Sequence, residues 1–254
     1  ALIVKFFFKL DYIITSHGSD VLGYNPRFKK LYPFLQYPWK KILDHARLIT
    51  SPTNFLKQEI LKVHPSLSPD KIAVIPNGIA AGKFLPLSKE KYILLVSRLT
   101  VNKGIQDFIE AIKDVDLKDW QVKIVGEGPY RPVLEKMVKE YNLSARITFL
   151  GWVDNQSQQM KELYGHAALF VLPSHFENMN VTLMEAMQAG CEVLATAVGG
   201  NPEITSSDNL FPAQNPTALR AKLITRLDKI NFHLASDTRY NWKNIISSYI
   251  KILQ

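Results

Sequence analysis

The stretch LFVLPSHFENMNVTLMEAMQAG, residues 169–190, decides the fold class. It begins with a continuous apolar run that ends at Pro173, as is typical of a parallel strand buried on both faces. A loop rich in polar residues follows, and a helical pattern then begins at Val181. A buried strand, a loop and a helix in this order form the repeating unit of doubly wound α/β folds.

The same alternation extends over most of the chain. The sequence predicts strands at residues 12–15, 47–51, 72–75, 92–97, 121–125, 146–149, 169–172 and 192–196. It predicts helices at residues 54–63, 104–113, 131–141, 156–164, 181–189 and 237–253. Most of the strands are continuous apolar runs, which favours parallel sheets covered by helices on both faces. The predicted fold class is therefore α/β.

A domain boundary is expected in residues 76–91, which are rich in Pro, Gly and small residues. Residues 91–236 contain enough strand–helix units for a complete Rossmann-like domain, whereas residues 1–76 contain roughly half of one. Residues 77–90 are predicted to link these two domains, and residues 237–254 to form a final helix.

The composition narrows the possible functions. The single cysteine, Cys191, excludes an internal disulfide framework and a zinc site built on several thiolates. No apolar run reaches the roughly 18–20 residues that a membrane span needs. The net charge is +8, and residues 1–75 hold most of the excess, with 11 Lys and Arg against 5 Asp and Glu. No zinc-finger spacing, basic heptad region or aromatic RNA-binding signature accompanies this charge, so the sequence predicts no nucleic-acid partner.

Two cations follow one predicted strand at its carboxyl end. Arg98 comes directly after the strand at residues 92–97, and Lys103 precedes the next helix. A guanidinium, an ammonium and a helix start at one strand end suit a diphosphate group. Taken alone, the two residues can equally be solvated loop charges.

Three further polar residues lie after strands or just inside a helix. Glu177 is in the loop after the strand at residues 169–172, and Glu185 is one turn inside the next helix. Because loops at the carboxyl ends of strands line the ligand crevice of a doubly wound sheet, both are candidate binding groups. The alternative is an ordinary loop charge and a helix-favouring residue. His17, after the first strand, either hydrogen-bonds a ligand hydroxyl or is structural.

Taken in order, six motifs resemble those of the family 4 glycosyltransferases, which have the GT-B fold. They are HGSD at 17–20, SRL and KG within 97–104, GEGP at 126–129, FLGWV at 149–153, the Glu177–Glu185 pair, and VGGNPEI at 198–204. The resemblance extends over residues 10–254 and implies two Rossmann-like domains with parallel sheets. It also implies that the N-terminal domain is incomplete through truncation and that the final helix packs back on that domain.

The resemblance implies a retaining transfer of a sugar from a nucleotide-sugar donor, with no cofactor and no essential metal. By motif position, Arg98 and Lys103 are expected to hold the donor diphosphate. Glu177 would hold the transferred sugar, which His17 would reach from the N-terminal domain, and Glu185 would bind the ribose. The other implied donor-binding residues are Gly126, Trp152 and Val153, the last two beside the nucleobase, and Asn178, Met179, Asn180 and Val181 beside the sugar.

The predicted function is transfer to a lipid-linked or polysaccharide acceptor in cell-envelope or exopolysaccharide synthesis. The alternative is a nucleotide-sugar-binding module with little or no activity, because the first domain is incomplete. A third possibility is another GT-B activity, such as that of an epimerase or a phosphorylase. The stretch from Asn178 to Asn180 replaces a commoner Gly-containing one, which is expected to affect the choice of sugar.

The acceptor half carries a basic and aromatic stretch. Residues 21–43 contain no acid, and aromatic residues alternate there with five cations, namely Arg27, Lys29, Lys30, Lys40 and Lys41. This mixture predicts contact with an anionic membrane surface and a cytoplasmic location, peripheral to the inner face of the plasma membrane. The alternative is an ordinary helix pair whose aromatic residues face the core.

Overall fold

The computed structural model describes residues 2–18, 21, 32–230 and 236–253. The chain divides into two compact units, one comprising the residues up to Asn77 and from Ile245 onward, the other running from Gly78 to Asn244. The strands are β1 (Ile13–Thr15), β2 (Leu48–Ser51), β3 (Ile72–Val74), β4 (Glu90–Val96), β5 (Gln121–Val125), β6 (Ile147–Gly151), β7 (Ala167–Leu172), β8 (Glu192–Thr196) and β9 (Leu210–Phe211). The α-helices are α1 (Leu2–Phe8), α2 (Tyr32–His45), α3 (Asn54–Val63), α4 (Ile105–Ile112), α5 (Arg131–Glu140), α6 (Gln158–His166), α7 (Val181–Gln188), α8 (Asn201–Ile204), α9 (Pro216–Lys229) and α10 (Trp242–Leu253).

The second unit is built on a six-stranded parallel sheet in the order β6-β5-β4-β7-β8-β9. The chain adds β5 and β6 on one side of β4 and then crosses to the other side of β4 with β7. The loops after β4 and β7 therefore leave the same edge of the sheet from adjacent strands. At such a switch point the connections diverge and leave a ligand crevice.

Strand β4 shows why the strands are recognisable as apolar runs. Ile93 and Leu95 belong to a core that includes residues of α4, α5 and α9. Tyr92 and Leu94, which alternate with them, belong to a second core with residues of α6 and α7. Helices thus cover both faces of the sheet, so consecutive residues of a strand can all be apolar without reaching water. The predicted α/β class with parallel sheets is confirmed.

The predicted start of the final helix is wrong. Helix α10 begins at Trp242, five residues later than the sequence indicated. Residues 240–242 run beside Ile79 instead: the Ile79 N–H donates to the Tyr240 carbonyl at 2.8 Å, and the Trp242 N–H donates to the Ile79 carbonyl at 3.0 Å. The apolar stripe locates the helix, but this tertiary pairing sets where it starts.

The helix predicted at residues 156–164 also begins later, at Gln158, because the Ser157 hydroxyl accepts a hydrogen bond from the Met160 N–H and caps α6. The sequence prediction missed α1, α8, α9 and β9, and it raised α2 only as part of the alternative helix pair. Helix α9 was missed because its buried residues, Leu219 and Leu223, make a stripe too narrow to recognise. Strand β9 has only two residues.

The first unit contains a three-stranded parallel sheet in the order β1-β2-β3. Its small core includes Ile49 from β2, Leu56 and Ile60 from α3, and Ile72 from β3. Of the five cations predicted to meet a membrane, Arg27, Lys29 and Lys30 lie outside the described residues. In the part of the chain that the structure describes, no helix has the length and apolar character to cross a membrane.

His64, which follows α3, is buried in the first unit. Within the described residues its Nε2 has no hydrogen-bond partner. Burial lowers the pKa of His64 below its ordinary value of 6.5, and the attraction of Asp44 only partly opposes this effect. The folded state therefore favours the neutral imidazole, whereas the unfolded chain binds a proton at the ordinary value.

We expect this burial to make the first unit sensitive to acid. Because the folded pKa of His64 is depressed, its contribution to stability is fully present above pH 6.5 and is lost as the pH falls through the folded value. Thermal unfolding at pH 7.5 and at pH 5.5 measures this loss, and His64→Gln should reduce the difference between the two. The matched control is His45→Gln, which changes an exposed histidine of the same unit. An equal pH dependence in all three proteins would contradict the assignment.

Cys191 lies just before β8 in the second unit and is buried. Its thiol donates to the Tyr164 carbonyl at 3.2 Å, and Lys89 Nζ lies 3.9 Å from the sulfur. Burial raises the pKa of Cys191 to about 11, although the charge of Lys89 acts in the opposite direction. The residue is therefore a protonated core thiol at neutral pH.

Candidate active site

The loops after β4 and β7 are joined at the switch point. The backbone N–H of His175, after β7, donates to the Asn102 carbonyl, after β4, at 2.8 Å. Gly104 has φ +68°, and a Cβ at this position would overlap the Pro173 carbonyl oxygen. A residue with a side chain would be strained there and would push the loops apart. Glycine thus lets the two loops form one surface.

Lys103 and Glu177 meet on this surface. Lys103 ends a short 3₁₀ turn after β4, and its Nζ lies 2.6 Å from Oε1 of Glu177. Glu177 is only 8% exposed although it lies in a loop. The two residues are 74 positions apart in the chain, and the switch point brings them into contact. A cation and a carboxylate held together at the crevice can bind the phosphate and the hydroxyl groups of one ligand.

Hydrogen bonds from α7 and from Gly200 hold the loop that carries Glu177. Asn180 caps α7, and its side-chain oxygen accepts from the Leu183 N–H at 3.0 Å and from the Thr182 hydroxyl at 2.6 Å. The Gly200 N–H donates to the Asn178 carbonyl at 2.7 Å. Gly199, with φ +56°, leaves space for the Glu177 carbonyl where a Cβ would overlap it. The loop conformation is therefore fixed before any ligand binds.

A cavity of about 370 Å³ opens beside these loops. Five residues that the sequence analysis singled out line it, namely Arg98, Gly126, Trp152, Val153 and Glu185. The other candidates in this unit, namely Lys103, Glu177, Asn178, Met179, Asn180 and Val181, are not part of its lining. Trp152 is 72% exposed, so its ring is accessible to a planar ligand. Gly126, with φ +130°, lets the loop after β5 approach Ser97.

Glu185 is the buried carboxylate of this cavity, with 3% exposure. Its Oε1 accepts from Asn155 Nδ2 at 3.0 Å and lies 3.4 Å from Lys83 Nζ, and its Oε2 accepts from the Tyr164 hydroxyl at 3.1 Å. The sequence analysis missed these three partners. Asn155, Lys83 and Tyr164 lie 30, 102 and 21 positions from Glu185 and share no periodic spacing with it, so no local pattern could have found them.

The sequence analysis also missed a contact between the loop after β7 and the start of α4, which follows the loop after β4. Nε2 of His175 lies 2.7 Å from Oδ2 of Asp107, in the first turn of α4, and Gln214 Nε2 lies 3.3 Å from Nδ1 of His175. This contact links the loop that carries Glu177 to the start of α4, next to Lys103.

His17 is exposed and lies in the first unit, two residues after β1. The structure therefore assigns it to a different unit from the other candidate residues. Among the described residues, no three His, Cys, Asp or Glu side chains are grouped so that they could hold a metal ion.

Two protein families match the chain. Residues 81–244 match the family described as glycosyl transferases group 1, and residues 1–82 match glycosyltransferase family 4. The chain is 34% identical to a glycosyltransferase of Methanocaldococcus jannaschii, over 78% of this chain and 57% of that protein. It is 28% identical to the N-acetyl-alpha-D-glucosaminyl L-malate synthase of Bacillus anthracis, over 77% of this chain and 52% of that protein. The chain thus spans about half the length of these relatives.

Solved structures share the fold at low sequence identity. Anabaena Alr3699/HepE in complex with UDP superposes with a TM-score of 0.85 at 18% identity, over 99% of this chain and 74% of that one. Sucrose-phosphate synthase from Thermosynechococcus elongatus gives a TM-score of 0.81 at 22% identity, over 99% and 69%. Both likenesses agree with the GT-B type of fold. The resemblance of the motifs is confirmed, and the chain belongs to the group 1 glycosyl transferases, with a family 4 glycosyltransferase match in its first 82 residues.

Proposed function

We propose that the protein transfers a sugar from a nucleotide-sugar donor to a lipid-linked or polysaccharide acceptor, with retention of the anomeric configuration. The observation that carries this proposal is the Lys103–Glu177 contact at the switch point, beside a cavity lined by Arg98 and Glu185. The arrangement provides cations for a diphosphate and a buried acceptor for hydroxyl groups. The names of similar proteins support it, since HepE was solved with UDP and with UDP-glucose.

In this proposal, the successive parts of the donor contact successive groups of residues along the site. The nucleobase lies against Trp152 and Val153, and the ribose hydroxyls donate to Glu185. The diphosphate meets Arg98 and Lys103, and the sugar lies at Glu177 and the backbone N–H groups that begin α7. That helix start adds a positive dipole end next to the anion.

In the proposed transfer, the bond between the sugar C1 and the phosphate oxygen breaks, and its electron pair stays on the diphosphate. The acceptor hydroxyl oxygen bonds to C1 on the same face and gives its proton to the departing phosphate. Negative charge therefore grows on the diphosphate as the bond breaks. Cations that are already in place stabilise this charge without reorganisation, which is where we expect most of the catalysis to arise.

A nucleotide panel tests the proposal. UDP, GDP, ADP and their sugars are added to the protein, and the melting temperature is measured, because a ligand that binds only the folded state raises it. We expect one nucleoside diphosphate series to stabilise the protein. Release of the diphosphate from the matching sugar donor then separates the enzyme from the binding module, which binds without release. No stabilisation by any of the compounds would contradict both.

The proposed acceptor side includes an anionic membrane surface. Lys40 and Lys41 lie on α2, together with Phe34, which is 79% exposed, and the exposed Tyr37. Trp39 is half-buried and packs against the core of the first unit, so an insertion role belongs to Phe34 and not to Trp39. Each cation near an anionic surface contributes about 1 kcal/mol, and the attraction weakens with salt. Peripheral attachment at the cytoplasmic face of the plasma membrane follows from this proposal.

We expect the protein to pellet with anionic vesicles and not with neutral ones, and to be released by high salt. Changing Lys29, Lys30, Lys40 and Lys41 to Ser should abolish the pelleting. Lys62→Ser is a matched control, because Lys62 is an exposed lysine of the same unit, on α3. Equal recovery in the supernatant with both kinds of vesicle would rule out the membrane contact.

A further inference from the structure

The three partners of Glu185 come from three different segments. Tyr164 is on α6 and is fully buried, Asn155 lies in the loop before α6, and Lys83 lies in the segment before β4. A carboxylate offers about four lone-pair sites, so three donors leave roughly one site for a ligand hydroxyl. The Lys83 contact, at 3.4 Å, is the longest of the three and the easiest to lengthen when a second hydroxyl arrives.

Lys83 is held in place by the helix that carries Glu185. Gln188, one turn further along α7, accepts from the Phe84 N–H at 3.0 Å and donates to the Ala80 carbonyl at 2.9 Å. The Lys83 ammonium also lies 4.7 Å from the centre of the Phe84 ring. The side chains of Lys83 and Glu185 are 12% and 4% exposed. Burying a carboxylate costs free energy unless it is paired, and Lys83 is the cation that pairs with Glu185.

Tyr164 can act only as a donor to Glu185. Burial, with the charge of Glu185, raises the pKa of Tyr164 well above 10. The phenol therefore keeps its proton at physiological pH and directs it at Oε2. With both oxygens held, the carboxylate cannot rotate, and the acceptor directions that remain free are fixed relative to the cavity.

We propose that Lys83, Asn155 and Tyr164 are positioning residues that hold Glu185 in a fixed orientation as an acceptor for the vicinal hydroxyls of the nucleoside sugar, so that they set the preference for ribose over 2′-deoxyribose. This inference rests on the proposed function. A site built to accept a hydroxyl proton discriminates strongly against an analogue without that hydroxyl, because its buried carboxylate is then incompletely hydrogen-bonded.

The experiment measures dissociation constants for UDP and 2′-deoxy-UDP, and for GDP and 2′-deoxy-GDP, by calorimetry. We expect the wild-type protein to prefer the ribose form by about tenfold or more, as for one hydrogen bond to a charged group. Tyr164→Phe, which keeps the ring, should narrow the preference to about threefold or less, and Lys83→Met should narrow it as well. Lys83→Arg, which keeps the charge, should restore much of it.

The matched control is Tyr92→Phe. Tyr92 is also buried in the second unit, and its hydroxyl donates to the Leu163 carbonyl at 2.6 Å. Its loss costs one buried tyrosine hydrogen bond without touching Glu185, so the ribose preference should stay at the wild-type value. If the ribose preference is unchanged in Tyr164→Phe and Lys83→Met, or falls equally in Tyr92→Phe, this inference is overturned while the proposed function stands. Failure of the wild-type protein to bind any of the four nucleotides would overturn the proposed function and this inference with it.

Discussion

Lys103→Ala is expected to lower sugar transfer about 100- to 1,000-fold, equivalent to about 2.7–4 kcal/mol of transition-state stabilisation. The ammonium of Lys103 lies 2.6 Å from Glu177, at the point where the proposed donor changes from diphosphate to sugar. Its positive charge would face the oxygen that gains negative charge as the glycosidic bond breaks. Arg98→Ala should cause a loss in the same range, because Arg98 lines the cavity proposed for the nucleotide. Steady-state turnover with the donor identified by the nucleotide panel measures both effects.

Lys113→Ala is the matched control for this prediction. Lys113 also pairs with a glutamate, Glu110, but it follows the other end of α4, away from the switch point. It should keep turnover within about twofold of the wild-type value, since this partly exposed ion pair lies at the surface, where ion pairs contribute little. Wild-type turnover in both Lys103→Ala and Arg98→Ala would refute their assignment to the donor diphosphate.

Glu177→Gln is expected to lower transfer by about 100-fold while it changes the affinity for the free nucleoside diphosphate only slightly. The change keeps the size of the side chain and removes its charge. Glu177 is placed at the sugar end of the proposed donor, so its loss should affect the sugar and not the nucleotide. Turnover and the nucleoside diphosphate dissociation constant, measured on the same preparation, separate the two effects.

Glu185→Gln serves as the comparison, because Glu185 lines the cavity proposed for the nucleoside. It should weaken the binding of the free diphosphate about tenfold, as expected for a hydrogen bond to a charged acceptor. The two variants therefore give opposite patterns in affinity and turnover. If both variants change only the melting temperature, the carboxylate pair is structural and the site assignment is wrong.

The strands were predictable because burial on both faces leaves a local pattern in the sequence, namely a continuous run of apolar residues. Ile93 and Leu95 face one core and Tyr92 and Leu94 face the other, so residues 92–96 of β4 form a continuous apolar run. The neighbourhood of Lys103 and Glu177 was also predictable in outline. Each follows the carboxyl end of a strand, and parallel strands place those ends at one edge of the sheet.

The support of Glu185 was not predictable, because it depends on tertiary packing. Lys83 reaches the carboxylate only because Gln188 holds the backbone of residues 80–84. Nothing in the spacing of Lys83, Asn155 and Tyr164 encodes that arrangement. The start of α10 was missed for a related reason, since the pairing of residues 240–242 with Ile79 is a tertiary contact that no local pattern shows.

The rate at which Cys191, the single cysteine of this chain, reacts with an alkylating reagent can report the opening of one of the two units. The first unit contains no cysteine, and Cys191 is enclosed in the second. The thiolate is the nucleophile that attacks an alkylating reagent, so a buried thiol with a pKa of about 11 reacts only when the second unit opens. The rate of alkylation in the native protein therefore reports the opening of that unit alone. A nucleotide that binds there should slow the alkylation even where the first unit unfolds at an unchanged rate.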